Sequence, residues 1–273
     1  GYFRDWLVGD AANPHSQDLP FRWIDVGRRA IGRSETDDFR NFPLPERILD
    51  QRLDMRPNQV LYTNCKTVFP GAPEQQLMFP AVWDMGDDTT EIELASSADG
   101  KVWNWVPGAP VFATGTFGMW DGGTVFAHPN LLELTDGTFA LPYTGFDVPH
   151  KYPRGQFNYA TGYILWPKGR LVALEALERG EFATVAILAP GRRLGINAVT
   201  QRAGFIQVEA ARLDGSPIPG RDFASAVPIR GDAYRASVVW REHEDLGIAP
   251  GDPVLLRVRL ERARLYFFEF ISG

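Results

Sequence analysis

Cysteine is nearly missing from this chain: Cys65 stands alone among 273 residues. No intrachain disulfide can staple the fold, and cysteine usage does not identify a compartment. Histidine is sparse as well, with 4 widely spaced copies that form no metal-ligand pattern with the single cysteine. No apolar run is long enough to span a bilayer, and no membrane partner is expected. Lysine is scarce and the net charge is -6 at a pI near 5.3, the wrong balance for a nucleic-acid partner, which needs a basic face. The glycines between 115 and 123 are not followed by the Lys-Ser/Thr of a phosphate loop, so nucleotide use is not expected. A Gly-x-Ser-x-Gly nucleophile elbow is missing too. Helical periodicity is almost absent, with only 175–179 and 241–246 patterned briefly that way.

What is abundant points one way. Aromatics reach 12% with 8 Trp, and 27 Gly and 21 Pro supply turns. That combination favours an all-β chain. The organising stretch is Ser97-Ala98-Asp99-Gly100-Lys101-Val102-Trp103-Asn104-Trp105, a strand end, a tight turn and a second strand. A second copy, Ser34-Glu35-Thr36-Asp37-Asp38-Phe39-Arg40-Asn41-Phe42, lies 63 residues upstream when the serines are aligned. That spacing accommodates a four-stranded propeller blade with loops.

Residues 1–45 read as the later part of one blade, 46–110 as a fuller blade and 111–168 as a third unit with a hairpin at Asp136-Gly137. Residues 147–155 form a Pro-broken loop of the kind that carries function on β scaffolds. From Pro167-Lys168-Gly169-Arg170 onward the texture changes to short alternating strands at regular spacing, as in a β-sandwich or jelly roll. These include 171–177, 182–188, 193–199, 205–213, 224–228, 236–241 and 254–270.

The two hairpins, Tyr62-Thr63-Asn64 with Pro70-Gly71-Ala72-Pro73 and Leu77-Met78-Phe79-Pro80, and the tail together resemble bacterial glycosidase-type proteins. The tail match includes Gly169-Arg170-Leu171-Val172, Gly180-Glu181-Phe182, Asp214-Gly215-Ser216-Pro217-Ile218-Pro219-Gly220 and Val238-Val239-Trp240. In that group a five-bladed β-propeller, similar to the invertase and arabinanase/xylosidase glycoside hydrolase clans, precedes a C-terminal β-sandwich. The expected architecture is therefore a partial, about three-blade β-propeller over 1–168 and a β-sandwich, jelly-roll-like, over 169–273. Three blades leave strand edges open. The resemblance accordingly implies missing N-terminal blades, with either a homo-oligomer or another chain covering the edges. It also implies a carbohydrate substrate, and it favours a periplasmic or secreted setting over a cytoplasmic one.

Hydrolysis of a glycoside uses one carboxyl with a raised pKa and a second carboxylate as base or nucleophile. The resemblance places such acids near the propeller axis. Asp121 is the leading candidate, because Trp120-Asp121-Gly122-Gly123 joins a sugar-stacking ring to a carboxylate and two glycines that permit close backbone approach; its alternative is a plain turn. Asp54, beside Arg56, and Glu74 are the candidate partners, and a loop ion pair is the alternative for Asp54. Phe3-Arg4-Asp5-Trp6 resembles the Arg-Asp-Pro motif of the invertase clan, with Trp6 in place of proline. His150, Arg154, Arg56, Tyr62 and Trp120 complete the expected substrate-binding set, with a solvated loop as the alternative for His150 and Arg154. No cofactor is expected beyond the option of a structural Ca2+ at Asp84, Asp87 and Asp88, whose spacing is not that of an EF-hand. The Ser/Asp hairpins themselves are expected on the outer rim, as packing devices. The competing function is a non-catalytic carbohydrate-binding or structural module.

Overall fold

Period-2 alternation and turn chemistry account for most elements of the computed structural model, which describes residues 1–8, 27–108, 110–151 and 155–271. The chain is all-β, with one 3-10 turn at Pro167–Gly169 and no α-helix among those residues. It divides into two compact units, Gly1–Leu165 and Trp166–Gly273.

The first unit holds three antiparallel meanders. In the first, β1 (Tyr2–Val8) pairs with β2 (Gly27–Arg33), and β2 with β3 (Glu46–Leu49). Residues 46–49 thus complete the first sheet rather than opening the second, because Ile31 and Leu49 are register partners and share one buried cluster.

The second meander contains β4 (Gln59–Leu61), β5 (Lys66–Phe69), β6 (Ala72–Met78), β7 (Ala81–Asp84), β8 (Thr89–Ile92), β9 (Ala95–Ser97), β10 (Asn104–Trp105) and β11 (Phe112–Ala113). Ladder pairing divides them into two four-stranded sheets, β5-β6-β9-β10 and β4-β7-β8-β11, that interleave along the chain. They are two halves of one four-stranded meander whose strands all break at mid-length. Pro80 cannot donate to the ladder there, and Cys65 sits at φ 44°, a turn conformation inside a strand. Single bonds carry the pairing across the break: Tyr62 N donates to Ala81 O at 2.7 Å, and Glu93 N to Pro80 O at 2.9 Å. Burial pushes the Cys65 thiol up to about 12, so it is an inert packing group.

In the third meander, β12 (Thr124–Ala127) and β13 (Leu132–Glu133) pair in succession along one edge of β14 (Phe139–Phe146), and β15 (Tyr159–Trp166) pairs with β14. The turn at 135–138 forms as its Asp-Gly predicts, with Thr138 N donating to Asp136 Oδ1 at 2.9 Å and Gly137 at φ 80°. Neighbouring meanders pack together. Ile31, Leu49, Leu61, Met78, Val82, Ala95 and Trp103 form one buried cluster between the first and second. Thr90 Oγ1 joins second to third, donating to Val125 O at 2.6 Å and accepting from Val125 N at 2.8 Å.

Both Ser/Asp hairpins close in the same way, but at an offset of 61 residues rather than 63. Ser97 Oγ donates to Asp99 Oδ1, which accepts from Lys101 N and Val102 N at 2.8 Å each. Upstream, Thr36 Oγ1 donates to Asp38 Oδ1, which accepts from Arg40 N at 2.8 Å and Asn41 N at 2.9 Å. Thr36, not Ser34, is the counterpart of Ser97. The aromatics pack as cross-strand structure: Trp103 meets Tyr2 edge-on at 5.9 Å, and Phe42 meets Phe3 at 5.5 Å.

The second unit is one antiparallel sheet, ordered β16 (Leu174–Ala183), β20 (Pro253–Ile271), β18 (Arg193–Ala211) and β19 (Asp232–Ser237), with β17 (Ile187–Leu188) paired to β20. The alternating runs at 193–199 and 205–213 belong to one long strand, joined through a register shift between Thr200 and Phe205 that bends it. Within 212–252 the one regular strand among the described residues is β19, and the rest of the segment is irregular. It crosses the sheet by isolated bridges such as Ile206 to Ile229, and buries Ile218, Val238, Trp240 and Leu246 in the same core as Ile206, Val208, Leu256 and Val258.

Candidate functional site

Alternation puts Val60, Tyr62, Ala81 and Trp83 on one face of the second meander, since Val60 pairs with Trp83 and Tyr62 bonds to Ala81. On the third meander the pairs Thr124–Phe146 and Phe126–Thr144 present their side chains together. The 147–151 loop then folds back onto the turn between β7 and β8. Asp88 pins it: its backbone oxygen accepts from His150 N at 2.8 Å and its Oδ2 from Lys151 N at 2.6 Å, while Oδ1 accepts from Trp83 Nε1 at 2.8 Å.

The result is a cluster drawn from stretches far apart in sequence. Tyr62 lies 4.4 Å from His150, 5.5 Å from Phe126 and 6.0 Å from Trp83, centroid to centroid. The Arg29 guanidinium covers the Tyr62 ring at 4.2 Å, and the Lys151 ammonium lies 5.0 Å from the Trp83 ring and 5.6 Å from that of Tyr62. Burial pulls the Arg29 pKa down from its ordinary value. Beside this cluster opens a cleft of about 310 Å³ lined by Thr124, Phe126, Phe146, Val148, Pro149, His150 and Phe157. Mostly aromatic walls with a few polar groups suit a ligand that has apolar ring faces and hydroxyl edges.

Asp121 and Trp120 occupy the other face of the third meander. Val125 and Gly145 are register partners and so share a face opposite to Phe126 and Thr144. A Cβ on Gly145 would lie 2.5 Å from Asp121 Cβ and 2.7 Å from the Trp120 ring, and one on Gly162 would lie 2.8 Å from that ring. Trp120 thus rests on a floor of two glycines, 5.4 Å from Tyr143, with its outer side exposed. Asp121 Oδ2 accepts from Tyr143 Oη at 2.8 Å. Burial, helped by that bond, raises the Tyr143 pKa. Gly122 and Gly123 do permit close approach, but of this chain's own backbone. Their Cβ atoms would meet Thr116 O at 2.2 Å and Val148 O at 2.1 Å.

Asp54 is exposed and pairs with Arg52 at 3.0 Å, not with Arg56. Arg52 also reaches the buried Glu93 at 2.7 Å, while Arg56 pairs with Asp84 at 2.5 Å and Asn58 donates to the same Asp84 at 2.6 Å. Glu91, two residues before Glu93, has its pKa raised by burial and then by the Glu93 charge. Neither glutamate carries a sequence motif. What marks them is the Glu91-Ile92-Glu93 alternation, which reads as an ordinary solvated strand face until burial is known.

Glu74 is exposed on β6. Gln59 pairs with Asp84 at one end of the meander and Phe69 with Ala72 at the other. Asp54 reaches Glu93, opposite Pro80, through Arg52, whereas Glu74 lies further along β6, so the two carboxylates are on the order of 20 Å apart by strand rise. A glycosidase carboxylate pair needs roughly 5–9.5 Å. Asp5 pairs with Arg47 of β3 at 2.9 Å. Of the expected substrate-binding residues, Tyr62 and His150 come together, Trp120 and Arg56 lie elsewhere, and Arg154 falls outside the described residues. Asp84 and Asp88 serve different partners. Among the described residues no group of three or more His, Cys, Asp or Glu is arranged to hold a metal ion.

No protein-family model and no curated protein matches the sequence. Among solved structures, the chain is distantly similar to an N-acetylgalactosamine deacetylase from F. plautii in complex with blood group B trisaccharide. The identity is 16% and the TM-score 0.40, over 51% of this chain and 42% of that one. A glycoside hydrolase family 43 arabinoxylan arabinofuranohydrolase from Bacillus subtilis, in complex with cellotetraose, is 10% identical at a TM-score of 0.28, over 100% of this chain and 64% of that one. Sucrose-6-phosphate hydrolase from Lactobacillus gasseri is 10% identical at a TM-score of 0.24, over 86% and 72%. The chain spans less than two thirds of the first two, and likenesses of this strength carry no argument about its activity.

Proposed function

We propose that this chain is a carbohydrate-active protein of glycoside-hydrolase type, and that it seats a sugar in the cleft beside Tyr62, Trp83, Phe126 and His150. The supporting observation is the convergence of Tyr62 with His150 at 4.4 Å and Phe126 at 5.5 Å, the latter two of which line a cleft of about 310 Å³. Aromatic faces stack on the C–H faces of a sugar. The meanders, each the repeating unit of a propeller blade, suit that reading. Binding is the part the geometry supports best, because Asp121 lies on the opposite face from the cleft and Asp54 and Glu74 lie far from each other.

Calorimetry with a panel of arabino-, xylo- and gluco-oligosaccharides tests it. At least one should bind saturably, and Tyr62→Ala should weaken it about tenfold, the scale of a lost aromatic platform, while Tyr62→Phe keeps it. A panel with no binder, or a Tyr62→Ala protein of full affinity, refutes the site.

A second reading adds hydrolysis. It rests on Glu91, which as register partner of Val82 lies on the face away from Tyr62 and Trp83 and would therefore serve a site of its own; burial and the Glu93 charge raise its pKa, as a proton donor needs. Turnover of aryl glycosides, compared across wild type, Glu91→Gln, Asp121→Asn and Asp54→Asn, decides it. A rate that none of the substitutions changes removes these carboxylates from the chemistry.

A further inference from the structure

Next in the chain to His150, which lines the cleft, stands a cation that a neutral sugar does not require. Lys151 is exposed, and among the described residues its ammonium meets only the Trp83 and Tyr62 rings, at 5.0 and 5.6 Å, with no carboxylate in ion-pair range. The nearest acid by connectivity, Asp88, is committed to other donors: Oδ1 takes the Trp83 indole N–H and Oδ2 the Lys151 amide. These bonds fix the backbone at residue 151, so the ammonium is held over the rings rather than sweeping through solvent.

We propose that the sugar bound in this cleft carries an anionic substituent, a carboxylate or a phosphate, which Lys151 holds at the rim. This rests on the carbohydrate reading above and names the substrate class of the same site. The anion replaces water on an exposed ammonium that already stands beside the aromatic wall, so recognition takes one charge-assisted contact and no rearrangement of the loop.

The test compares ligands of matched shape by calorimetry: methyl glucuronide against methyl glucoside, methyl galacturonide against methyl galactoside, both anomers of each, and the 6-phosphates of the two neutral glycosides. The expected result is an anionic member bound about tenfold more tightly than its neutral partner, the scale of one charged hydrogen bond. That preference should shrink as salt rises, disappear in Lys151→Gln and persist in Lys151→Arg. A circular dichroism spectrum and melting curve matching those of wild type show that Lys151→Gln is folded. A uronide that outbinds the phosphate identifies a carboxylate, and the reverse identifies a phosphate. Equal affinity for charged and neutral partners overturns the proposal but leaves the carbohydrate site standing. Binding of no glycoside at all overturns both.

Discussion

Phe39 sits at φ 56° and is 86% exposed, while Gly100, its counterpart in the second hairpin, sits at φ 70°. Both follow an aspartate that accepts two backbone N–H groups, and that bonding pattern forces the left-handed turn whatever residue occupies it. A residue with a Cβ loses about 1–2 kcal/mol in that conformation. Glycine avoids the loss but adds roughly 0.5–1 kcal/mol of unfolded-state freedom. Phe39→Gly should therefore stabilise the protein by about 0.5 kcal/mol, since so exposed a ring gives up little packing. Gly100→Ala should cost about 2 kcal/mol, because the new Cβ would also lie 2.8 Å from the Gln76 amide and 2.9 Å from the Tyr2 hydroxyl. Urea unfolding followed by tryptophan fluorescence reads both. A destabilised Phe39→Gly protein would mean that the phenyl ring contributes something its exposure hides.

The joint where β16, β18 and β19 begin their shared sheet is held by Asp232, which accepts from Lys168 at 2.7 Å and from Arg170 at 2.6 Å. The Arg170 guanidinium, helped by Lys168, lowers the Asp232 pKa from 3.8 to about 2. A folded-state pKa below the unfolded value contributes stability at pH above about 4, and that contribution is lost as pH falls through 4 toward 2. Because the carboxylate is 54% exposed, solvent screening limits the contribution to less than about 1 kcal/mol. Asp232→Asn should lose that amount at pH 7 and nothing at pH 2, so the two stability curves converge in acid. Curves that stay parallel from pH 7 to pH 2 would remove this ion pair from the account.

Elements of this kind differ in how legible they are in sequence. The hairpins at Asp99 and Asp136, the Glu91-Ile92-Glu93 alternation of β8 and the long β20 stand in the residues themselves, because each is specified by local turn chemistry or period. The continuity of β18 does not. Gly204 reads as a break between two runs, yet it is the point where β20 passes so close that a Cβ would lie 2.4 Å from the carbonyl oxygens of Glu261 and Arg262. Tyr62 and His150 are each recognisable as aromatic or polar residues beside a loop. Their meeting depends on Asp88 capturing the 147–151 loop from across the unit, which no local pattern encodes. Glu91 is hidden for a similar reason: only the chain packed over it makes it a perturbed acid.

At the scale of the molecule, the second unit satisfies its own buried polar groups. In the second unit every buried polar group with a described bond finds its partner inside that unit. Glu209 takes Arg257 Nη1 at 2.7 Å and Phe223 N at 3.1 Å, the Trp240 indole donates to Val208 O at 3.0 Å, and Asn197 accepts from Arg170 at 3.1 Å. Its core cluster, from Ala176 through Trp240 to Leu265, contains no residue of the first unit. Cross-strand pairs between β16 and β20, such as Arg259 with Glu181 at 2.7 Å and Arg264 with Glu175 at 2.7 Å, keep the outer strands in register. A core of its own, and buried polar groups whose described bonds stay within the unit, are what an independent domain requires. Residues 166–273 produced alone should fold, unfolding in urea in one cooperative step with a stability on the order of 5 kcal/mol. Trp240→Ala, which removes a large buried ring and strands the Val208 carbonyl, costs about 3–5 kcal/mol and should leave that fragment largely unfolded at 25 °C. A wild-type fragment that binds hydrophobic dye and melts without a transition would show that this core needs the first unit to form.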